Sequence, residues 1–88
     1  MKSLNIKIPL SDAQDMDDNE QLNPIYLSEF ITATLNHNDS LDNPIRELCY
    51  NYTFKIDNDL HKSIKLKALE LDLPMNELVG RLIDKYYF

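Results

Sequence analysis

Apolar and polar positions alternate with a period of two in two stretches of the chain, which is typical of β-strands. The first stretch, residues 4 to 10, has its large apolar side chains at Leu4, Ile6, Ile8 and Leu10. Because Pro9 has no amide hydrogen to donate to a neighbouring strand, this stretch predicts a short edge strand. The second stretch, from residue 51, predicts a strand with Tyr52, Phe54 and Ile56 on an apolar face and Asn51, Thr53 and Lys55 on a polar face.

Helical periodicity follows the second strand twice. Asp57 or Asn58 is suited to cap the first of these helices by accepting amide hydrogen bonds. Its apolar residues then recur at spacings of four, four and three, at Leu60, Ile64, Ala68 and Leu71. Pro74 ends this helix, because it lacks an amide hydrogen and disfavours helical geometry at the preceding residue. A final helix is predicted from the stripe Met75, Leu78, Val79, Leu82, Ile83 and Tyr86.

The chain between the two strands gives weaker signals. Residues 11 to 21, SDAQDMDDNEQ, are acidic and have Met16 as their only large apolar residue, which predicts a solvated loop. Asn23-Pro24 is a helix-start signal, and one face formed by Leu27, Phe30, Ile31, Thr34 and Leu35 predicts an amphipathic helix after it. Asn43-Pro44 repeats the signal and predicts a shorter helix, with Ile45, Leu48 and Cys49 as its apolar stripe. This Asn-Pro-Ile echo is too short to indicate an internal repeat.

Charge divides the 88-residue chain into two parts. Residues 1 to 50 hold three basic and nine acidic residues and carry the whole net charge of -6, whereas residues 51 to 88 hold six of each and are neutral. We therefore expect an acidic, partly disordered segment with one or two short helices at 1–50 and a folded module at 51–88. A chain this short buries a limited core alone, so a partner chain is also expected.

Composition and motifs argue against several classes of protein. The single cysteine, Cys49, allows no intramolecular disulfide, and no apolar run approaches the ~18 residues of a membrane-spanning helix, so a cytoplasmic protein is expected. His37, His61 and Cys49 lack a metal-ligand spacing. Glycine-rich phosphate loops, nucleophile motifs and paired-carboxylate motifs do not occur either. We expect no metal, no cofactor and no enzymatic activity.

Residues 51 to 88 resemble the ribbon-helix-helix (Arc/MetJ/CopG) family of DNA-binding proteins. The resemblance lies in the order strand, helix, break, helix, and in residues at the family's spacing: Phe54-Lys55-Ile56-Asp57, Leu60-His61, Lys65, Ala68 and Met75-Asn76-Glu77-Leu78. It implies a mainly α homodimer in which two strands pair into an antiparallel ribbon that enters the major groove of operator DNA. The sequence departs from the family at Pro74, where a capping Ser or Thr is usual, and at Asp72, where Gly is usual.

The resemblance also implies roles for particular residues. Base contacts would come from Asn51, Thr53 and Lys55, phosphate contacts from the backbone amides of Met75, Asn76 and Glu77, and the dimer core from Tyr52, Phe54, Ile56, Leu78 and Leu82. Lys donates to guanine, Thr hydrogen-bonds or contacts a thymine methyl group, and Asn pairs with adenine. An ordinary solvated strand face is the alternative for the three polar strand residues. Because the module is uncharged, several dimers on repeated sites are expected.

The expected function is that of a dimeric, sequence-specific transcriptional repressor, and the first 50 residues separate three versions of it. An acidic segment with an amphipathic helix carrying Leu27, Phe30 and Ile31 is suited to bind a protein partner. This favours an autoregulating antitoxin that neutralises a toxin. One alternative is a plasmid partition protein that binds a centromere and a partner ATPase. The other is a stand-alone phage or plasmid repressor that needs no partner.

Overall fold

The computed structural model describes residues 1–36, 41 and 48–87. Within these residues the elements follow in the order β1 (Lys2–Pro9), α1 (Leu10–Asp18), α2 (Pro24–Thr34), β2 (Cys49–Ile56), α3 (Asn58–Leu71) and α4 (Met75–Tyr86). The prediction of a mainly helical fold with a short two-stranded ribbon is confirmed. The order strand, helix, helix occurs twice, once before and once after residues 37–47.

The two strands pair with each other in antiparallel orientation over their full lengths, from Lys2 opposite Ile56 to Pro9 opposite Cys49. This pairing corrects the expectation of a ribbon built from two chains, because the strand beside β2 belongs to the same chain. The edge strand predicted over residues 4 to 10 begins earlier, at Lys2, and ends at Pro9, because Leu10 is the first residue of α1. Pro9 is tolerated because it is the last residue of β1, where a missing donor costs little.

The prediction of a solvated loop over residues 11–21 is wrong, because residues 10–18 form α1. Ala13 and Met16 lie one helical turn apart and are buried, as is Asp12. Asp17 and Asp18 point away from the core and are exposed. Two apolar side chains are enough to pack two turns of helix onto a ribbon, but they are too few for hydrophobic periodicity to reveal.

The first helix of each half ends in the same way. Glu20 after α1 and Asp72 after α3 adopt the left-handed conformation, with φ of 59° and 56°. In both places the residue after the left-handed one donates its amide back to the last turn, from Gln21 to the Met16 carbonyl at 2.7 Å and from Leu73 to the Ala68 carbonyl at 2.9 Å. This is the Schellman motif, so the two halves share their helix ending as well as their element order.

The helix predicted after Asn23 is confirmed as α2. The Asn23 side chain accepts a hydrogen bond of 2.8 Å from the Tyr26 amide, and Pro24 is the first helical residue. Asp57 occupies the corresponding capping position before α3, but its side chain makes no capping hydrogen bond among the described residues. The helix predicted after Pro44 falls on residues 42–47, which lie outside the described residues, while Cys49 begins β2.

A single buried core draws on both halves of the chain. It lies between one face of the ribbon and the helices, and α4 packs across β1 more extensively than any other helix packs on either strand. Its fully buried side chains include Ile6, Ile8, Met16, Leu27, Ile31, Ile56, Ile64, Leu78 and Ile83. The first half, predicted as an acidic and partly disordered segment, therefore supplies a strand, two helices and much of this core.

The end of the chain is tied to α1. The Tyr87 hydroxyl, just after α4, donates to the Asp15 carboxylate at 3.0 Å and also contacts the side-chain oxygen of Gln21. Burial and the neighbouring Asp15 carboxylate raise the pKa of Tyr87 to about 12. This contact joins residues 72 positions apart and holds the second half of the chain against the first.

Candidate nucleic-acid interface

The outer face of the ribbon carries polar side chains in three of its four rows, and the fourth row pairs Pro9 with the half-buried Cys49. Leu4, Ile6, Ile8, Phe54 and Ile56 turn towards the core, so the alternate positions turn towards solvent. The outer side chains are exposed and pair across the strands in three rows: Ser3 with Lys55, Asn5 with Thr53, and Lys7 with Asn51. These six residues are called the ribbon face below.

A side-chain hydrogen bond joins the strands in the middle row of the ribbon face. The Asn5 amide nitrogen donates to the Thr53 hydroxyl oxygen at 2.8 Å. This bond uses one of the two amide hydrogens of Asn5 and one lone pair of Thr53. Asn5 therefore keeps a donor and an acceptor, and Thr53 keeps its hydroxyl hydrogen, for contacts with a ligand.

The two lysines lie at diagonally opposite corners of the ribbon face. Lys7 is in the row nearest α1 and Lys55 is in the row nearest α3. Although the chain has 15 acidic residues, neither strand contains one, and together the strands contain three lysines. The ribbon is therefore a positively charged surface on a protein whose net charge is -6.

The sequence identified half of this surface. The structure places Asn51, Thr53 and Lys55 together in one exposed column, but it adds a second column of Ser3, Asn5 and Lys7 that was not expected. The missed signal is the similarity of Asn5-Ile6-Lys7-Ile8 to Thr53-Phe54-Lys55-Ile56. Both are polar, apolar, lysine, isoleucine.

The residues expected to contact phosphate form the first turn of α4 and are half-buried. The Glu77 amide already donates to the Pro74 carbonyl at 3.1 Å, which leaves Met75 and Asn76 as the better phosphate donors of the three. The Glu77 carboxylate pairs with Arg81 at 2.7 Å, and Arg81 also donates to the Leu41 carbonyl at 2.5 Å. This ion pair offsets the negative charge that Glu77 would present to a phosphate.

The residues expected to form the core of a dimer instead lie in the core of one chain. Phe54, Ile56, Leu78 and Leu82 are buried there, and Tyr52 packs against them. Tyr52 and Phe54 also have their ring centroids 5.5 Å apart. These side chains lie beneath the ribbon, as predicted. They pack against β1 and its helices and not against a second copy of the chain.

The residues expected to bind a protein partner are also occupied within the chain. Leu27 and Ile31 are fully buried, and the half-buried Phe30 stacks on Tyr26 with the ring centroids 6.2 Å apart. The apolar face of α2 therefore covers the chain's own core. In this fold it is not exposed to a toxin or an ATPase.

Other kinds of site are not evident in the part of the chain that the structure describes. It contains no cluster of three or more His, Cys, Asp or Glu side chains arranged to hold a metal ion. None of its helices has the length and apolar character needed to cross a membrane. Comparison with protein-family models, curated proteins and solved structures finds no match to the chain.

Proposed function

We propose that the protein binds duplex DNA by inserting the ribbon face into the major groove, and that it acts as a sequence-specific transcriptional repressor. The observation that carries the proposal is the ribbon face itself, which is exposed, two strands wide, free of acidic residues and flanked by a lysine at each end. The major groove of B-DNA, ~12 Å wide, accommodates a two-stranded ribbon.

The side chains of the ribbon face suit base recognition. Lys7 and Lys55 are able to donate to guanine, Asn5 and Asn51 to pair with adenine, and Thr53 to hydrogen-bond or contact a thymine methyl group. The simpler alternative is a solvated strand face. The presence of Lys7 and Lys55 and the absence of acid from both strands give this face a positive charge that suits an anionic ligand.

The resemblance of residues 51–88 to the ribbon-helix-helix family supports the same function, with one change. In that family two chains each supply one strand and two helices. Here residues 2–34 repeat the element order of residues 49–86, so one chain has both strands of the ribbon. The DNA-binding unit that we propose is therefore a single chain.

Among the three versions of a repressor, the fold favours the stand-alone one. The antitoxin and partition hypotheses both relied on a first segment that was open to a protein partner. That segment is packed into the core through Leu27 and Ile31. A repressor whose first half completes the DNA-binding fold accounts for these residues without a partner.

The proposal is tested by selecting binding sites from random duplex DNA with the full-length protein and measuring affinity for the selected site by fluorescence anisotropy. Lys7→Ala and Lys55→Ala should each weaken binding by about tenfold or more, because a good base contact contributes ~1–3 kcal/mol of discrimination. The matched control is Lys85→Ala, which removes an exposed lysine from the last turn of α4 and should change affinity less than about twofold.

Selection that enriches no sequence would contradict the proposal. So would a selected site that both ribbon variants bind as tightly as the unmodified protein. Circular dichroism of each variant checks that the exposed substitution leaves the fold intact.

A further inference from the structure

The ribbon has an approximate two-fold axis that passes through its middle row. Antiparallel pairing sets Asn5 opposite Thr53, and these residues are 48 positions apart, as are Lys7 and Lys55. A half-turn about an axis that is perpendicular to the ribbon and passes between Asn5 and Thr53 therefore exchanges the two lysines. The same rotation exchanges Ser3 with Asn51 and Asn5 with Thr53, and neither of these pairs is chemically identical.

We propose that one chain recognises a non-palindromic DNA site in one fixed orientation. This inference rests on the proposed function and specifies the class of DNA sequence that the ribbon face takes. Two identical strands would present the same groups to both halves of a site and would select a palindrome. The two strands of this ribbon are different, so the two half-sites must differ.

The two strands differ in side chains that distinguish between bases. An Asn side chain pairs with adenine through two hydrogen bonds, whereas Thr makes one hydrogen bond or contacts the thymine methyl group. The middle row therefore favours different bases on the two sides of the axis. The row that contains Lys7 and the row that contains Lys55 are four residues apart along the ribbon, which is ~14 Å. Because the two lysines are identical, they contribute the symmetric part of the site.

The flanks of the ribbon differ in charge as well. Because the strands are antiparallel, α1 leaves the ribbon at the Lys7 end and α3 leaves it at the Lys55 end. Helix α1 has four acidic residues and no basic residue, whereas residues 57–71 at the other end have three lysines and three acidic residues. Phosphates are therefore repelled more strongly at the α1 end than at the α3 end, so contacts with the DNA backbone are expected to extend from the α3 end.

The first test uses the full-length protein and the site selected from random duplex DNA. We expect a site without two-fold symmetry, occupied by one chain in native mass spectrometry. Two altered sites are then compared, in which one half is replaced by the symmetric copy of the other. Each should bind about tenfold more weakly or worse, because a mismatched base pair typically reduces affinity by ~5- to 150-fold.

The second test exchanges the polar residues between the strands. The variant Ser3→Asn/Asn5→Thr/Asn51→Ser/Thr53→Asn has the same composition as the unmodified chain and keeps both lysines. A DNA-cleaving iron chelate attached to a Gln14→Cys substitution, exposed on α1, in a Cys49→Ser background marks where the α1 end of the ribbon lies on the site. Cleavage should fall on one side of the site for the unmodified protein and on the other side for the exchanged variant.

The outcomes separate the two proposals. A palindromic site occupied by two chains, equal cleavage on both sides, or unchanged cleavage in the exchanged variant would overturn the inference and leave DNA binding intact. Failure of the unmodified protein to enrich any sequence would overturn the proposed function, and the inference with it. The matched control is Lys62→Ala/Lys65→Ala on α3 in the protein that carries the chelate. This double substitution should weaken binding without moving the cleavage to the other side.

Discussion

Asn5 donates a side-chain hydrogen bond of 2.8 Å to Thr53 across the centre of the ribbon, joining strands that are 48 residues apart in sequence. Both side chains are exposed, so water replaces this bond easily when it is removed. We predict that Thr53→Val changes the free energy of unfolding by less than ~0.5 kcal/mol. Urea denaturation measures this change, and a much larger loss would mean that the bond stabilises the ribbon itself.

The pairing of β1 with β2 predicts that folding does not depend on protein concentration. An obligate dimer becomes more stable as its concentration rises, because association contributes to its stability. Here the ribbon and the core beneath it are complete within one chain. The midpoint of thermal unfolding should therefore stay constant over a hundredfold range of concentration, within about 1 °C. A midpoint that rises steadily with concentration would instead show that folding requires a second copy.

Two isoleucines of α2 provide a matched test of how this helix packs. Ile31 is fully buried, whereas Ile25 is 75% exposed on the same helix. Ile31→Ala should lower the free energy of unfolding by ~2–5 kcal/mol, because it leaves a cavity in the core. Ile25→Ala should change it by ~0.5 kcal/mol or less. Similar small effects from both substitutions would indicate that α2 is not packed on the core in solution.

Glycine should stabilise the protein at the two left-handed positions that end α1 and α3. Residues with a Cβ atom are strained at the φ values of Glu20 and Asp72, and glycine is not. Glu20→Gly should stabilise the protein by ~0.5–1 kcal/mol, and Asp72→Gly by somewhat less, because Asp tolerates this conformation better than Glu. Asn19 is the control, since its φ is -97° and glycine there should be destabilising. Urea denaturation distinguishes the three variants.

The raised pKa of Tyr87 predicts that the protein loses stability in alkaline solution. Burial and the Asp15 carboxylate raise its pKa to about 12 in the folded protein, above the usual value of 10.0. As the pH rises, Tyr87 therefore loses its hydroxyl proton in the unfolded chain before it does so in the folded protein. The contribution of Tyr87 to stability is complete below pH 10 and is lost as the pH rises towards 12. Tyr87→Phe should lower stability at pH 7 by ~1 kcal/mol and flatten the decline above pH 10.

The control for that prediction is Tyr50→Phe, because the Tyr50 side chain is exposed at the start of β2. Its stability should match that of the unmodified protein at pH 7. Chemical denaturation at several pH values between 9 and 12 measures both variants. An unchanged alkaline profile in Tyr87→Phe would mean that the contact with Asp15 does not contribute to stability.

The second half of the fold could be predicted from the sequence because its signals are strong and local. The stripe from Met75 to Tyr86 and the break at Pro74 define α4 and the end of α3 without any knowledge of tertiary contacts. The helix α1 could not be predicted in this way, because Ala13 and Met16 are its only buried apolar residues and its neighbours are acidic. Tertiary packing on the ribbon, rather than local preference, makes this segment helical.

Periodicity alone also could not predict which strands pair with each other. Alternation placed Leu4, Ile6 and Ile8 on a buried face, but a buried face fits a partner strand from the same chain as well as one from another copy. The exposed polar column on β2 was therefore identified, whereas the column on β1 was not. Comparing Asn5-Ile6-Lys7-Ile8 with Thr53-Phe54-Lys55-Ile56 would have indicated that the two strands play the same part.

The pairing of β1 with β2 also determines when the chain is able to fold during synthesis. β1 is synthesised before its hydrogen-bonding partner, residues 49–56, and before the helix that covers it, residues 75–86. Until the ribosome has added α4, Leu4, Ile6 and Ile8 lack the core that buries them in the folded protein. Such long-range pairing slows folding and leaves an apolar strand exposed in the nascent chain. A truncated translation product of this protein is thus not a smaller folded domain but an aggregation-prone fragment.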